Sequence, residues 1–297
     1  MISICIPVYN LGVAGLVDTL FKQSKRLEIA TEIVLIDDCS QDVFKEQNKQ
    51  IQSDVCYIQL EKNIGRAAIR NLFLEHSRHE YLLFLDCDST ILHDDFLQNY
   101  IDAIKKHPDS VICGGSEYEK NPPPKNKRLR WKYGSKRESK PIEVRIHDDY
   151  NSFLTNNFII GKKQFEAVQF DDKLVHYGHE DTLFGIELKK VGIKTLHIDN
   201  TVRNGNLSEN LEFLDNTEKA VSNLAYILQT TDAKSDLIEN SALLSMYYKL
   251  YSFRKISLLM FTVLGPAIKY ILSKGYANLY LFDFYKLGVI SRKLSKQ

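Results

Sequence analysis

The chain has 297 residues, of which 44% are hydrophobic and 26% charged. That composition excludes disordered, collagen-like and coiled-coil proteins and suffices for one large domain with an appendage. A formal charge of +1 conceals two basic blocks: residues 120–140 hold nine Lys or Arg against Glu138 alone, and residues 241–297 hold nine against Asp283 alone, leaving −15 on the remainder.

The chain starts MISICIPVYN, without a basic leader, so no signal peptide is expected. Short runs rich in Ile and Val then predict buried parallel strands at Ile2–Pro7, Glu32–Asp37, Val55–Leu60, Tyr81–Asp86 and Val111–Gly114. Between them lie amphipathic segments of helix length, Val13–Arg26, Asp42–Gln52, Arg66–Ser77 and Asp94–His107. Such alternation predicts an α/β fold, an open, mostly parallel sheet flanked by helices, with ligands beyond the carboxyl ends of the strands. The rhythm breaks at Asn121-Pro-Pro-Pro-Lys125, where a polar, basic stretch reads as a long excursion from the sheet. Order returns at Phe153–Gly161, a helix at Glu180–Val191 and a strand at Lys194–Ile198, and the chain is helical beyond Asn210. The expected division is a catalytic domain over 1–230 and a basic, aromatic-rich helical extension over 231–297.

Five cysteines (Cys5, Cys39, Cys56, Cys87 and Cys113) match no zinc spacing and mostly sit in apolar runs. They read as reduced, buried residues of a cytoplasmic protein. The longest charge-free apolar stretch near the C-terminus, Ile256 to Ile268, has 13 residues. A spanning helix needs about 20, so none is expected.

Several predicted strands end in polar residues: Tyr9-Asn10, Asp37-Asp38, Asn63 and Asp86-Cys87-Asp88. The last is the sharpest chemical signal. Alternation along an extended chain puts Asp86 and Asp88 on one side, where unpaired carboxylates repel. A divalent cation relieves that repulsion, and hard oxygen ligands suit Mg²⁺ or Mn²⁺. The bland alternative is a pair of aspartates capping the next element.

Taken together, Ile6-Pro-Val-Tyr-Asn10, Ile36-Asp-Asp-Cys-Ser40, Asn63-Ile-Gly-Arg66 with Arg70, and Asp86-Cys-Asp88 resemble the family 2 glycosyltransferases of the GT-A fold. Gly178-His179-Glu180-Asp181 resembles that family's acceptor-side Gly-x-Glu-Asp motif, and the likeness extends over about residues 1–230. The resemblance implies sugar transfer from a nucleotide diphosphate sugar, commonly a UDP-sugar, to an acceptor hydroxyl, with inversion and a Mn²⁺ or Mg²⁺ cofactor. It implies that Asp88 binds metal, that Asp86 meets ribose and metal, and that Asp38 meets the base. Pro7, Tyr9 and Asn10 would shape the nucleoside pocket, with Asn63 and Arg70 beside base or phosphates. Asp181 would be the general base, and Asn156, Asn157, His179 and Glu180 would face the acceptor. One departure stands out: where related sequences often carry a metal-binding His, this chain has Asn204, which offers a carbonyl oxygen.

The basic blocks bear on partners. Lys125 to Lys140, with Trp131 and Tyr133 interleaved, lacks any nucleic-acid-binding signature, and a flap meeting a phosphate-bearing acceptor fits it better. The second block holds eleven Tyr or Phe. Cations and aromatics on short segments suit an anionic membrane surface, with packing on the catalytic domain as the competing reading. A lipid-linked glycan of a bacterial surface polysaccharide is the expected acceptor. Two rival functions are a haloacid-dehalogenase-like phosphatase using Asp86 as nucleophile, and an idle GT-A-like scaffold. The phosphatase leaves Tyr9-Asn10, Asp37-Asp38 and Asn63 unexplained.

Overall fold

The computed structural model describes residues 1–51, 54–147, 150, 152–174 and 178–295. Ten strands are present among them: β1 (Ile2–Val8), β2 (Thr31–Asp37), β3 (Val55–Gln59), β4 (Tyr81–Leu85), β5 (Ser89–Ile91), β6 (Val111–Cys113), β7 (Ser116–Glu117), β8 (Asn157–Gly161), β9 (Thr195–His197) and β10 (Val202–Asn204). Seven form one sheet in the order β3-β2-β1-β4-β8-β6-β9. Only β8 runs antiparallel to its neighbours, β4 and β6, so the sheet is mixed and mostly parallel, as expected. The central strands β1, β4 and β8 are apolar without alternation because both faces are covered. On one face Phe84 stacks on Phe158 at 4.9 Å. On the other, Leu16, Val17, Leu20, Phe96, Leu97 and Tyr100 pack from the helices Ala14–Ser24 and Phe96–Lys106.

The chain leaves β1 to one side, through β2 and β3, and then returns to the other side of β1 as β4. This reversal opens a crevice beyond the carboxyl ends of β1 and β4. Pro7 is tolerated here because β1 has already run past β4, whose last partner on β1 is Cys5.

Some expectations are corrected. A second, three-stranded sheet of order β5-β10-β7 was not anticipated, because strands of two or three residues show no period. The basic excursion is helical rather than irregular, with helices at Arg128–Tyr133 and Ile142–Arg145. Only Cys5 and Cys113 are buried; Cys39 and Cys87 are half-buried and Cys56 is exposed, and all five are free thiols. The helix Tyr251–Ser273 is long and apolar enough to cross a membrane by length and composition alone, with mean hydropathy 1.7. Within this helix the charge-free run from Ile256 still ends before Lys269.

Packing divides the chain into two compact units: Met1–Glu117 with Ser139–Val175 and Glu187–Gly205, and Tyr118–Glu138 with His176–Ile186 and Asn206–Gln297. This division differs from the one expected at 230, since the helix Asn210–Thr230 belongs with the C-terminal helices. The first unit contains both sheets. In the second, Tyr133, Phe213 and Phe282 form an aromatic core with ring centroids 5.4 to 5.7 Å apart.

Candidate active site

In the first unit the crevice is built from the ends of β1, β2 and β4. Tyr9 follows β1 with 54% of its surface exposed, leaving a ring face open to a planar ligand. Asn10 adopts φ +51°, a turn conformation that Asn tolerates. Its Oδ1 accepts from Gln41 N at 2.8 Å, and its own N–H donates to Ser40 Oγ at 2.8 Å. Asn10 thus shapes the rim by joining two loops.

Asp37 and Asp38 divide their work. Asp37 is fully buried and accepts from Ser40 N at 2.7 Å and from the Tyr57 hydroxyl at 2.9 Å. Burial together with this carboxylate pushes the Tyr57 phenol up to about 12. Asp38, the residue expected to meet the base, accepts from Ile64 N at 2.7 Å and Gly65 N at 3.1 Å. Its main-chain carbonyl takes a hydrogen bond from Asn63 Nδ2 at 3.1 Å. Burial raises its carboxyl above the usual range against the pull of those N–H groups. Here Asp38 organises the loop that carries Asn63.

Arg70 was expected beside the donor's base or phosphates. The structure instead buries it to 1% exposure on the helix Arg66–His76, with Nη2 donating to Asp86 Oδ1 at 2.9 Å. Its guanidinium also lies 5.6 Å from the Phe170 ring centroid. Arg70 therefore positions Asp86.

β4 ends at Leu85, and Asp86-Cys87-Asp88 is a turn closed by Ser89 N donating to the Asp86 carbonyl at 3.0 Å. The alternation argument for the two carboxylates fails, since this segment is not extended. Burial pushes the Cys87 thiol up to about 12, so it stays protonated between them. The short second sheet anchors the turn. Asn204 on β10 is in register with Ser89 on β5, and Gly205 N donates to the Asp88 carbonyl at 3.0 Å. A Cβ on Gly205 would meet that same oxygen at 3.0 Å, so a larger residue would push the turn away.

Asn156 and Asn157, both expected to face the acceptor, differ. The Asn156 carbonyl accepts from Asp86 N at 3.1 Å, and its Nδ2 donates to Asn204 Oδ1 at 3.3 Å. Its Oδ1 is buried with no hydrogen-bond partner. Asn157 is corrected to a structural residue. Its Oδ1 accepts from the Tyr100 hydroxyl at 2.6 Å, and its Nδ2 donates to the Gly115 and Asn200 carbonyls, each at 2.8 Å. The whole amide is engaged inside the core. Sequence reasoning missed this network; its only signal was an Asn entering an apolar strand.

These residues fit a divalent metal. Among the described residues no three His, Cys, Asp or Glu side chains gather as a metal cage. The turn nevertheless offers two carboxylates, and the orphaned Asn156 Oδ1 and the neighbouring Asn204 amide add hard oxygens. Mg²⁺-type cations are commonly held by one or two carboxylates, with phosphate and water completing the shell.

The second unit holds the other expected residues. Asn223 Nδ2 donates to the Gly178 carbonyl at 2.6 Å, fixing the approach to the helix Glu180–Lys190. His179 has φ +69°, and burial pulls its imidazole down to about 4, so it is neutral at physiological pH. Glu180 is buried, and Asp181 stands in the first helical turn, where its Oδ1 accepts from Thr182 N at 2.7 Å. A helix N-terminus favours such an anion.

A mixed, mostly parallel sheet with a carboxylate turn at its switch point defines an α/β protein whose candidate ligand crevice lies beyond the strand ends. Residues 3–163 match the glycosyl transferase family 2 model, and the chain belongs to that family. It is 30% identical over 118 residues to the poly(ribitol-phosphate) beta-N-acetylglucosaminyltransferase TarP of Staphylococcus aureus, covering 38% of this chain and 36% of TarP. It is 24% identical over 224 residues to the chondroitin synthase of Escherichia coli, covering 64% and 32% of the two chains. The chain thus spans about a third of the length of these curated relatives. Among solved structures, the mannosyltransferase PcManGT of Pyrobaculum calidifontis, in complex with GDP-Man and Mn²⁺, is similar with TM-score 0.63 at 14% identity. That match covers all of this chain and 87% of PcManGT, and shows the shared GT-A fold.

Proposed function

We propose that this chain transfers a sugar from a nucleoside diphosphate sugar, with UDP favoured, to an acceptor hydroxyl with inversion at the anomeric carbon. The observation that carries the reading is the Asp86–Asp88 turn at the switch-point crevice, held by buried Arg70 and flanked by Asn156 and Asn204. Support comes from the family and from two structural neighbours, PcManGT with GDP-Man and Mn²⁺ and S. aureus TarS with UDP-GlcNAc.

In this reading Tyr9 stacks on the base, while Asn10, Pro7 and the Asp38-ordered loop with Asn63 bound the nucleoside. Asp86, Asp88 and Asn204 would hold Mn²⁺ or Mg²⁺, and Asn156 Oδ1 adds an oxygen beside them. When bound, the cation supplies Lewis-acid stabilisation of the diphosphate charge. The acceptor oxygen forms its bond to the anomeric carbon as the carbon–phosphate-oxygen bond breaks on the opposite face. Asp181 accepts the hydroxyl proton, with neutral His179 and Glu180 beside the acceptor. The phosphatase alternative is not favoured, because it leaves the β1 and β2 rims without a role.

We further place the enzyme at the cytoplasmic face of an anionic membrane, in surface-polysaccharide synthesis on a lipid-linked glycan. Ile256, Leu259, Met260, Val263, Leu264 and Ile271 form an exposed apolar stripe on the helix Arg254–Ser273. Its opposite face is packed, and Lys269 pairs with Asp215 and Glu218, each at 2.7 Å. Spanning would draw those charges into lipid, so a helix lying in the interface fits better.

The test is a screen of nucleotide sugars, with Mn²⁺, for protection against thermal unfolding. One donor should raise Tm in proportion to its affinity, and turnover with that donor should follow. Hydrolysis of a generic phosphate ester without any nucleotide binding would overturn the reading.

A further inference from the structure

A cleft of about 450 Å³ lies in the second unit, between the helix Arg128–Tyr133 and the segment 275–278. Arg128, Trp131, Lys132, Tyr276 and Asn278 line it. Arg128 and Lys132 are four residues apart on one helix and share a face, where like charges repel. Arg128 Nε donates to the Pro123 carbonyl at 3.2 Å, which aims its guanidinium. No carboxylate among the described residues pairs with Arg128 or Lys132. Trp131 is locked by Nε1 donating to the Glu119 carbonyl at 2.7 Å.

The walls are fixed from beneath. Buried Asn210 donates through Nδ2 to the Lys125 carbonyl at 2.8 Å and the Ser273 carbonyl at 3.3 Å. Its Oδ1 accepts from Leu129 N at 2.9 Å. Gly275 has φ +90°, and a Cβ there would lie 2.3 Å from the Lys125 carbonyl, so only glycine permits this approach. Asn278 spends Oδ1 on Tyr280 N and Leu281 N, which leaves its Nδ2 as a donor. The result is a rigid cleft with two uncompensated cations, an amide donor and two aromatic rings.

We infer that this cleft binds a sugar phosphate, the phosphate-bearing end of the acceptor. Arg128 and Lys132 meet the phosphate oxygens with charge-assisted hydrogen bonds. Trp131 and Tyr276 offer flat apolar faces to the C–H side of the sugar, and Asn278 Nδ2 bonds a hydroxyl. The inference names the acceptor class for the proposed transfer and rests on that reading, but the cleft is tested apart from the donor crevice.

Trp131 is the single tryptophan of the chain, so its emission reports on this site alone. The full chain is titrated without metal with a hexose 1-phosphate, with sodium chloride at matched ionic strength, and with phosphatidylglycerol vesicles. The expected result is a saturable change with the hexose 1-phosphate and none with chloride. Charge-assisted bonds are the strong ones, so Arg128→Gln with Lys132→Gln should weaken binding by about tenfold or more. An unchanged Tm for that variant confirms its fold; should it unfold, Lys132→Gln alone serves. A response identical in the variant, or matched by chloride, overturns the proposal. A response to vesicles but not to the soluble sugar phosphate assigns the cleft to lipid headgroups and overturns it as well. Failure of every nucleotide sugar in the Mn²⁺ screen to raise Tm of the wild type would sink the donor reading while leaving a positive titration of the cleft intact.

Discussion

The Arg70 guanidinium donates to Asp86 Oδ1 at 2.9 Å from behind the crevice, with 2% of its side chain exposed against 24% for Asp86. An ion pair with one shielded and one open partner fixes the open one without blocking it. Arg70→Met keeps much of the packing on Phe170 but leaves Asp86 without its partner. Removing one member of a buried pair costs about 3–5 kcal/mol, and the partial exposure of Asp86 puts this case near the lower end. Urea unfolding should show that loss, and UDP should protect the variant less than the wild type in the presence of Mn²⁺. Unchanged stability and protection would return Arg70 to a packing role.

The carboxylate turn makes a separable prediction. Asp88→Ala should abolish the Mn²⁺-dependent part of UDP binding while leaving the weak metal-independent part. Asn204→His, which installs a stronger nitrogen ligand at the point in register with Ser89, should tighten the Mn²⁺-dependent part. Calorimetric titration with and without EDTA reads both. If neither substitution changes the metal-dependent part, the turn is not the metal site.

Much of the first unit was legible because its strands are buried on both faces and so appear as unbroken apolar runs. Asp86 and Asp88 stood out for the opposite reason, as charges ending such a run. What escaped was whatever has no period or looks alike in sequence. Strands β5, β7 and β10 are too short to alternate, yet they place Asn204 beside the turn. Asn156 and Asn157 are adjacent amides, and only packing separates the orphaned oxygen of one from the saturated amide of the other. Arg70 read as a donor contact because nothing in its sequence setting shows that its guanidinium is buried behind Asp86. The two compact units were hidden because the chain passes between them more than once.

Asp181→Asn keeps the shape and the helix-start hydrogen bonding while removing the proton acceptor. Donor binding should be unaffected, and transfer should fall by about 10²–10⁴-fold, the usual contribution of a general base. Near wild-type turnover at saturating acceptor would leave Asp181 as a helix-start acid only.

His179 makes stability depend on pH. Its imidazole is pulled down to about 4 from 6.5, chiefly by burial, with Glu180 opposing. Between those values the unfolded chain holds a proton that the folded chain lacks, so acidification favours unfolding. The contribution is complete above 6.5 and is lost progressively as pH falls toward 4. His179→Asn keeps a residue that tolerates positive φ and should flatten the profile across this window. Denaturant midpoints at half-unit pH steps for both proteins give the comparison. Parallel profiles would mean that the imidazole titrates normally.

The last prediction concerns the exposed stripe of the helix Arg254–Ser273. A truncation near residue 240 is a poor test, because the removed helices pack against Asn210–Thr230 and carry the partner of Glu218. Leu259→Glu with Val263→Glu alters only the outer face, where these side chains are 66% and 69% exposed. The folded unit should therefore tolerate both changes. Wild type should co-sediment with vesicles containing anionic lipid, and more weakly with neutral ones. Each Lys or Arg near an anionic surface contributes about 1 kcal/mol, so raising salt should reduce binding. A residual should persist from apolar insertion, and the double variant should lose it, since its two carboxylates oppose both terms. Equal partitioning of variant and wild type would make the stripe a contact for another protein surface, and the membrane assignment would fall.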